Sequence, residues 1–188
     1  MTTEKRKWPR AAAIQVARTL CEALQPHCEK LIVAGSLRRG RALVGDVEIL
    51  YIPHTEERPI DLFHTRRFPL TDPVLDHLLK TEILAKRPSV TGSHTWGQQN
   101  KLAIHVPSGI PVDLFETTAD CWFNYLVCRT GPAESNTRIA TAAQERGWKW
   151  KPYSPGFTRL SDGAHHAVQS EEEVFTFVGL PSLPPHQR

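Results

Sequence analysis

The stretch Val44-Gly45-Asp46-Val47-Glu48-Ile49-Leu50-Tyr51-Ile52 decides the fold and carries the most specific chemical signal in this 188-residue chain. Its apolar run predicts a strand, and alternation along a strand places Asp46 and Glu48 on one face and Val47 and Ile49 on the other. Two neighbouring carboxylates repel each other at low dielectric, and a hard divalent cation with oxygen ligands relieves that repulsion. An exposed polar edge is the alternative explanation of the same pattern.

A candidate phosphate-binding turn precedes this strand. The apolar run 31–34 predicts a buried strand that ends at Gly35, and Gly35-Ser36 begin a helix whose free N–H groups favour phosphate. Arg38 and Arg39 follow, and a guanidinium group has the fork geometry that phosphate oxygens accept. We expect an anion-binding segment close to the carboxylates, although glycine also ends strands for conformational reasons alone.

A third carboxylate is predicted on a β-hairpin further along the chain. Two apolar segments flank the turn-rich sequence 107–111 and predict antiparallel strands. Asp113 lies in the second strand, where Val112 and Leu114 point away from it. If this strand pairs beside the one that follows Asp46, the three acids can hold two Mg²⁺ ions roughly 3.5 to 4 Å apart, as in-line phosphoryl transfer requires. A surface strand position is the alternative for Asp113.

The remaining patterns predict an α+β fold. The predicted helices cover residues 9–24, 72–86, 120–129 and 133–146. The segment 53–70 mixes charged residues and proline without a period, and we expect a loop there. Residues 148–160 predict a short β segment, and Ser170 with Glu173 forms a capping box before a final helix. Strands and helices therefore alternate up to about residue 118, and helices dominate afterwards.

Composition and charge exclude several classes of protein. A content of 40% hydrophobic and 23% charged residues argues against disordered, collagen-like and coiled-coil chains. The net charge of +3 permits a polyanionic partner without requiring one. Because no apolar run approaches the roughly 18 residues of a membrane span and no secretory signal is present, we expect a cytoplasmic protein without a membrane partner. The cysteine spacing is too wide for a zinc knuckle and predicts reduced thiols.

The combined motifs resemble the family X DNA polymerases, which are DNA polymerase beta-like nucleotidyltransferases. The resemblance is carried by Gly35 to Gly40, Gly45 to Leu50, Val112 to Leu114, Thr130 to Asn136, Gly147-Trp148 with Tyr153, and Glu173 to Arg188. It covers about residues 10–188 and is weakest between residues 53 and 95. It implies a minimal form of the family, with a nucleotidyltransferase palm over residues 1–118, a nucleotide-selecting thumb over residues 119–188, and no upstream lyase or helix-hairpin-helix module.

The resemblance also implies a role for each matching residue. Asp46, Glu48 and Asp113 would be the catalytic residues and would bind Mg²⁺, or Mn²⁺ in its place. The residues implied to bind the incoming dNTP are Gly35, Ser36, Arg39, Gly45, Thr130, Gly131 and Asn136. We expect a monomer that adds a nucleotide to a primer 3′-hydroxyl on primer-template or gapped DNA and releases pyrophosphate.

Contacts with nucleic acid are predicted for basic residues and one tryptophan, because phosphate binding needs cations and unpaired bases stack on aromatic rings. These residues are Arg38, Arg41, Trp96, Lys101, Arg129, Arg138, Lys149 and Lys151. For each basic residue taken singly, the alternative to a nucleic-acid contact is a solvated charge on the surface.

The sequence departs from the family pattern at several positions. Glu48 replaces the more usual second aspartate, and Pro111 stands near the third acid where a basic residue is often found. Cys128 and Arg129 replace an aromatic pair, so ribose discrimination does not carry over. Ala140 has no side chain to probe the template pair, and low fidelity follows as an expectation.

Two other functions remain open at this point. One is a template-independent nucleotidyltransferase that acts on DNA ends, RNA or a protein hydroxyl. The other is an inactive nucleic-acid-binding scaffold in which Glu48 has disabled the metal site. Template dependence of the inserted base separates the first from a polymerase, and metal-dependent nucleotide binding separates the second.

Overall fold

The structure is a computed structural model that describes residues 6–89 and 92–188. In chain order the α-helices are α1 (Arg10–Leu24), α2 (Gly35–Arg38), α3 (Thr71–Lys80), α4 (Trp122–Thr130), α5 (Ala133–Glu145) and α6 (Glu171–Thr176). The strands are β1 (Trp8–Pro9), β2 (Cys28–Val33), β3 (Leu43–Val44), β4 (Val47–Pro53), β5 (Thr55–Pro59), β6 (Thr65–Pro69), β7 (Leu84–Lys86), β8 (Asn100–His105), β9 (Ile110–Glu116), β10 (Trp148–Trp150), β11 (Gly156–Arg159) and β12 (His165–Ala167). The fold class is α+β, as predicted.

Neither a membrane-spanning helix nor a disulfide accompanies these elements. Over residues 6–89 and 92–188, no helix has both the length and the apolar character needed to cross a membrane. The cysteines at positions 21, 28, 121 and 128, which all lie in the part of the chain that the structure describes, form no disulfide bond.

The chain divides into two compact units that do not follow the order of the sequence. The first comprises Met1–Val33 and Leu43–Glu116, and the second comprises Ala34–Ala42 and Thr117–Arg188. The sequence-based boundary near residue 118 assigns residues 34–42 to the first domain, whereas their contacts group them with the second unit. The long-range hydrogen bonds of Arg38 explain this, because its guanidinium group contacts side chains more than 90 residues further along the chain.

A five-stranded mixed sheet forms the centre of the first unit, in the order β2-β4-β9-β8-β7. The pair β4 and β9 is parallel, and the other neighbouring strands are antiparallel. Helix α1 packs against β2 and β4 through its apolar face, on which Ala13, Val16 and Leu20 are buried. Every residue of β4 is buried except Glu48, which is partly exposed. A near-continuous apolar strand of this kind is expected where both faces of a sheet are covered.

Residues 53–70 form a β-hairpin, which corrects the predicted loop. Strands β5 and β6 pair in antiparallel register, and all residues of β5 are exposed. A strand without a buried face has no alternation of apolar and polar residues, so the sequence carried no strand signal here. At the tip, the Asp61 carboxylate accepts hydrogen bonds from the backbone N–H groups of Phe63 (2.8 Å) and His64 (2.9 Å) and thereby closes the turn.

Two other boundaries differ from the sequence-based expectation. The strand predicted over residues 44–52 is divided, since β3 pairs with β1 and β4 begins only at Val47. Helix α3 ends at Lys80 rather than near residue 86, and β7 follows it. The end of α3 is a Schellman turn, in which Glu82 adopts a left-handed φ of 57°. Because glycine usually occupies that position, the sequence did not reveal the stop.

The second unit packs α4, α5 and α6 against a three-stranded sheet in the order β10-β11-β12. Its core includes the buried residues Val127, Ile139, Ala143, Trp150, Phe157, Val168, Val174 and Val178. Ser170 caps α6 as predicted, since its Oγ accepts a hydrogen bond from the Glu173 N–H at 3.0 Å. The Glu173 carboxylate reaches back to the Gln169 N–H (2.7 Å) and so completes a variant of the capping box.

A buried amide connects α4 to the sheet of the second unit. Asn124 is fully buried, and its Nδ2 donates to the backbone carbonyls of Lys151 (2.7 Å) and Ser154 (2.9 Å). The indole Nε1 of Trp150 donates to Oδ1 of Asn124 at 2.6 Å. One side chain therefore satisfies three polar groups of the neighbouring strand and turn.

Replacing Asn124 by leucine should destabilise the protein. Asn124→Leu keeps the branched shape of the side chain but leaves the Trp150 N–H without an acceptor, so we expect the free energy of unfolding to fall by about 2–4 kcal/mol. Urea denaturation measures the change. Gln144→Leu on the exposed side of α5 is the matched control and should shift stability by less than about 0.5 kcal/mol. Equal shifts in the two variants would contradict this interpretation of Asn124.

Candidate functional site

The three predicted acids lie on neighbouring strands of the first unit. Asp46 immediately precedes β4, Glu48 is in β4, and Asp113 is in β9. The parallel register pairs Glu48 directly with Asp113. Paired residues of adjacent strands point to the same face at a spacing of about 4.8 Å, and the neighbours Val47 and Leu114 are fully buried on the other face. The second strand of the hairpin that carries Asp113 thus pairs beside the strand that follows Asp46, which is the condition for bringing the three acids near one another.

The carboxylate groups of these three acids do not form a cluster that could share one metal ion. Within residues 6–89 and 92–188, no group of three or more His, Cys, Asp or Glu side chains is close enough to hold a metal ion. Asp113 instead forms a hydrogen-bonded ion pair with Arg87. Three carboxylates repel one another unless a cation lies among them, and Arg87 gives Asp113 a positive neighbour.

The donor set nevertheless suits Mg²⁺. All three residues offer hard carboxylate oxygens, and all three are partly exposed. Glu48 and Asp113 share a face through their register. We therefore treat these residues as a candidate metal site.

Arg87 is a site residue that the sequence analysis did not identify. Its backbone N–H donates to the Leu102 carbonyl (3.1 Å), and its Nε donates to the Ala103 carbonyl (3.0 Å). These bonds to β8 fix the guanidinium group, which extends to Asp113 in β9. Arg87 and Asp113 are 26 residues apart, and only the strand order β7-β8-β9 brings them together. Arg87 is thus the cation that lies beside Asp113.

The candidate phosphate-binding segment belongs to the second unit. Gly35 begins α2 with φ of 61°, a left-handed conformation that favours glycine. Oγ of Ser36 is buried and has no hydrogen-bond partner in the part of the chain that the structure describes. A buried hydroxyl in this state suits an oxygen of a ligand. Helix α2 has only four residues, so its dipole contributes less to phosphate binding than a longer helix would. Gly45 lies in the first unit between β3 and β4.

Arg38 and Arg39 are held within the second unit. Arg39 donates a hydrogen bond to the Thr130 carbonyl. Arg38 donates to Oγ1 of Thr130 (2.7 Å) and to both carboxylate oxygens of Glu171 (2.9 and 2.5 Å), and its side chain is only 18% exposed. Arg188 also reaches Glu171, at 3.1 Å. The contact of Arg38 with nucleic acid stays a prediction, and it would compete with this ion pair.

The other predicted nucleotide-binding residues of the second unit lie where α4 meets α5. Thr130 ends α4 and is fully buried. Gly131 has φ of 60°, and a Cβ atom there would lie 3.2 Å from Nη1 of Arg39, so both conformation and space favour glycine. Asn136 donates from Nδ2 to the Cys128 carbonyl (2.9 Å), and its buried Oδ1 has no hydrogen-bond partner among the described residues.

The remaining predicted nucleic-acid contacts differ in exposure. The exposed residues are Arg41, Arg138, Lys149 and Lys151. Arg129 is partly buried, donates to the Tyr153 hydroxyl (2.9 Å) and lies 5.6 Å from the ring centre of Tyr125. Trp96 is partly exposed in the first unit, and the Lys86 ammonium lies 4.9 Å from its ring centre.

Lys101 lies in the interior of the first unit. It is only 5% exposed, and its Nζ lies 3.5 Å from the Glu116 carboxylate and 3.6 Å from Asp72. Nζ also donates to the Gln98 carbonyl at 3.2 Å. A charge is buried in this way only when partners compensate it, and these partners hold the ammonium group away from the surface. The contact of Lys101 with nucleic acid stays a prediction, and the ammonium group would have to leave these partners to reach a DNA phosphate.

A comparison with known protein families bears on the second unit. The family model described as DNA polymerase beta thumb matches residues 125–188. This part of the chain is similar to a polymerase thumb. The match contains Thr130, Gly131 and Asn136, and it supports the resemblance to family X polymerases for the segment it covers. The three acids lie outside it. No curated protein matches the chain.

The Glu171 cluster should give the protein a measurable sensitivity to acid. Burial tends to raise the pKa of Glu171, but the hydrogen bonds and charges of Arg38 and Arg188 outweigh that effect, and the pKa lies below its usual 4.5. A lowered pKa in the folded state means that ionised Glu171 stabilises the fold above pH 4.5 and that this contribution is lost as pH falls through the folded value.

Glu171→Gln should therefore be less stable than the wild type near neutral pH, by about 2–3 kcal/mol, because two arginines lose their carboxylate. Its free energy of unfolding should also fall less steeply below pH 4.5. Urea titrations across the acid range measure both effects. The exposed neighbour gives the control Glu172→Gln, which should retain the wild-type profile. Identical profiles for the two variants would contradict the role given to Glu171.

Proposed function

We propose that this protein is a DNA polymerase-like nucleotidyltransferase that transfers a nucleotide from a dNTP to a primer 3′-hydroxyl on primer-template or gapped DNA. The observation that carries the proposal is the parallel register that pairs Glu48 with Asp113, with Asp46 two residues before Glu48. The similarity of residues 125–188 to the thumb of DNA polymerase beta supports DNA as the partner.

Asp46, Glu48 and Asp113 would hold Mg²⁺, or Mn²⁺ in its place. When bound, the ion neutralises charge on the reacting phosphate and favours deprotonation of the attacking hydroxyl. Asp113 would also orient the primer 3′-hydroxyl. Arg87 would keep the Asp113 carboxylate in one orientation, because its own position is fixed by two hydrogen bonds to β8.

The reaction forms a bond between the primer 3′-oxygen and the α-phosphorus of the dNTP. The bond from that phosphorus to the bridging oxygen breaks, pyrophosphate leaves, and the hydroxyl proton is released. The Ser36 hydroxyl and the Arg39 guanidinium group would bind the phosphates that leave. Thr130 and Gly131 would lie under the sugar, and Asn136 would use its side-chain amide at the edge of the base.

Removing the charge of one acid should abolish nucleotide transfer. Asp46→Asn and Asp113→Asn keep the side-chain size but weaken a metal ligand, so we expect each to slow incorporation at least about 100-fold. Primer extension with labelled dNTPs on gapped, recessed and blunt DNA measures the rate. Asp120→Asn changes an exposed acid of the second unit and should stay within about twofold of the wild type.

The same assay separates the candidate functions. Insertion of the base that the template specifies supports a polymerase, whereas insertion regardless of template supports a template-independent transferase. Extension by Asp113→Asn at the wild-type rate, or no transfer by the wild type on any substrate, would overturn the proposal.

Arg87 should affect the rate of the chemical step more than nucleotide binding. Arg87→Ala leaves Asp113 without its positioning partner, and we expect kcat to fall by about 10–100-fold with little change in KM for the dNTP. Arg87→Lys should recover part of the rate. An ammonium group keeps the positive charge, but it lacks the planar guanidinium group that can bind two acceptors at once. A change confined to KM, or equal losses in both variants, would argue against a positioning role.

A further inference from the structure

A cavity of about 360 Å³ lies in the first unit, and none of the three acids lines it. Its walls come from β6, from α3 and from the segment 96–98 before β8. The volume falls within the range of roughly 300–1,000 Å³ that is typical of small-molecule sites. The reaction proposed above gives this cavity no role.

The α3 side of the cavity offers hydrogen-bond acceptors. The Lys101 ammonium lies between the carboxyl groups of Asp72 (3.6 Å) and Glu116 (3.5 Å), so two carboxyl groups share one ammonium group. Oδ1 of Asp72 faces Lys101 and has no hydrogen-bond partner within the described residues, while the Asp72 side chain as a whole is 48% exposed. Asp76, one turn further along α3, adds another carboxylate to the lining. A ligand group with N–H donors would bind the Asp72 carboxylate.

The outer end carries positive charge. Arg66 and Arg67 line the cavity from the exposed strand β6. Arg66 is paired directly with Arg58 in the hairpin, and the two guanidinium groups lie 5.6 and 5.7 Å from the ring centre of Phe68. Arg58 is already paired with Glu56 (2.8 Å) and Arg67 with Glu57 (3.0 Å). Arg66 is therefore the guanidinium group of this lining that a phosphate group would bind.

Two aromatic rings, those of Phe68 and Trp96, also line the cavity. The Lys86 ammonium lies 4.9 Å from the Trp96 ring centre and helps to hold that ring in place. Flat aromatic surfaces of this kind stack against unpaired nucleic-acid bases and contribute strongly to single-strand binding. The lining therefore suits a planar group with donors at its inner edge and an anion at its outer end.

We propose that this cavity binds one unpaired nucleotide of single-stranded DNA, with the base directed inward and the phosphate outward. Cytosine, adenine and guanine carry an exocyclic amino group that would donate to Asp72, whereas uracil and thymine have no amino group. The inference takes DNA as the partner from the proposed function, but it does not depend on the catalytic acids. It assigns Trp96 to base stacking and Asp72 to the choice of base.

Strands of dC and dU provide matched probes, because cytosine has an amino group at the position where uracil has a carbonyl oxygen. Fluorescence anisotropy with labelled strands of roughly six nucleotides, measured in EDTA, gives the affinities without a contribution from a bound metal. We expect the wild type to bind the dC strand at least about fivefold more tightly than the dU strand. A strand of N4,N4-dimethyl-dC, which has no amino donor, should bind as weakly as dU.

Variants of the lining residues test each part of the proposal. Asp72→Asn should remove the preference for dC, because an amide both donates and accepts. Trp96→Ala should weaken binding of both strands by about tenfold through loss of stacking. Arg18→Gln removes an exposed cation of α1 and serves as the control, with both affinities unchanged. Thermal unfolding verifies that each variant is folded. The dimethylated strand tests the role of the amino group in the wild type, without any substitution in the protein.

Equal affinity of the wild type for dC, dU and dimethylated dC would overturn the proposal, as would a dC preference that persists in Asp72→Asn. Since the assay contains no metal, the result stands apart from catalysis. A dC preference without nucleotide transfer would refute the proposed function alone, and nucleotide transfer without a dC preference would refute this inference alone.

Discussion

The parallel pairing of β4 with β9 is the constraint on which the rest of the first unit depends. Parallel neighbours cannot be joined by a tight turn, so the chain must make a long connection between them. That connection contains the β5-β6 hairpin, α3, β7 and β8, and the last two strands extend the sheet beyond β9. One pairing therefore places Glu48 opposite Asp113 and also determines where Arg87 and the walls of the cavity lie.

Charged groups in both units are held by partners far away in the sequence. Asp113 is paired with Arg87, Lys101 lies between two carboxylates, and Glu171 is shared by two arginines. Removing one partner from a buried pair leaves an uncompensated charge, which costs more than the pair contributes. These ion pairs thus fix side-chain positions more than they raise overall stability. The Arg38 pair also explains why residues 34–42 are grouped with the second unit.

Much of this arrangement could be predicted from local patterns. The apolar strand that contains Glu48, the hairpin that carries Asp113, and the helix cap at Ser170 each depend on nearby residues. The β5-β6 hairpin escaped prediction because its exposed strands have no apolar face, and the end of α3 escaped because Glu82 stands where glycine is usual. The roles of Arg87 and Lys101 depend on strand order, which one segment of sequence does not encode.

Under the proposed function, acids on two parallel strands hold divalent ions for nucleotidyl transfer. Electron paramagnetic resonance of Mn²⁺ titrated into the protein, with and without a nonhydrolysable dNTP, reports on that site. We expect Mn²⁺ binding that tightens when the nucleotide is present. A wild-type protein that binds no Mn²⁺ under either condition would contradict it.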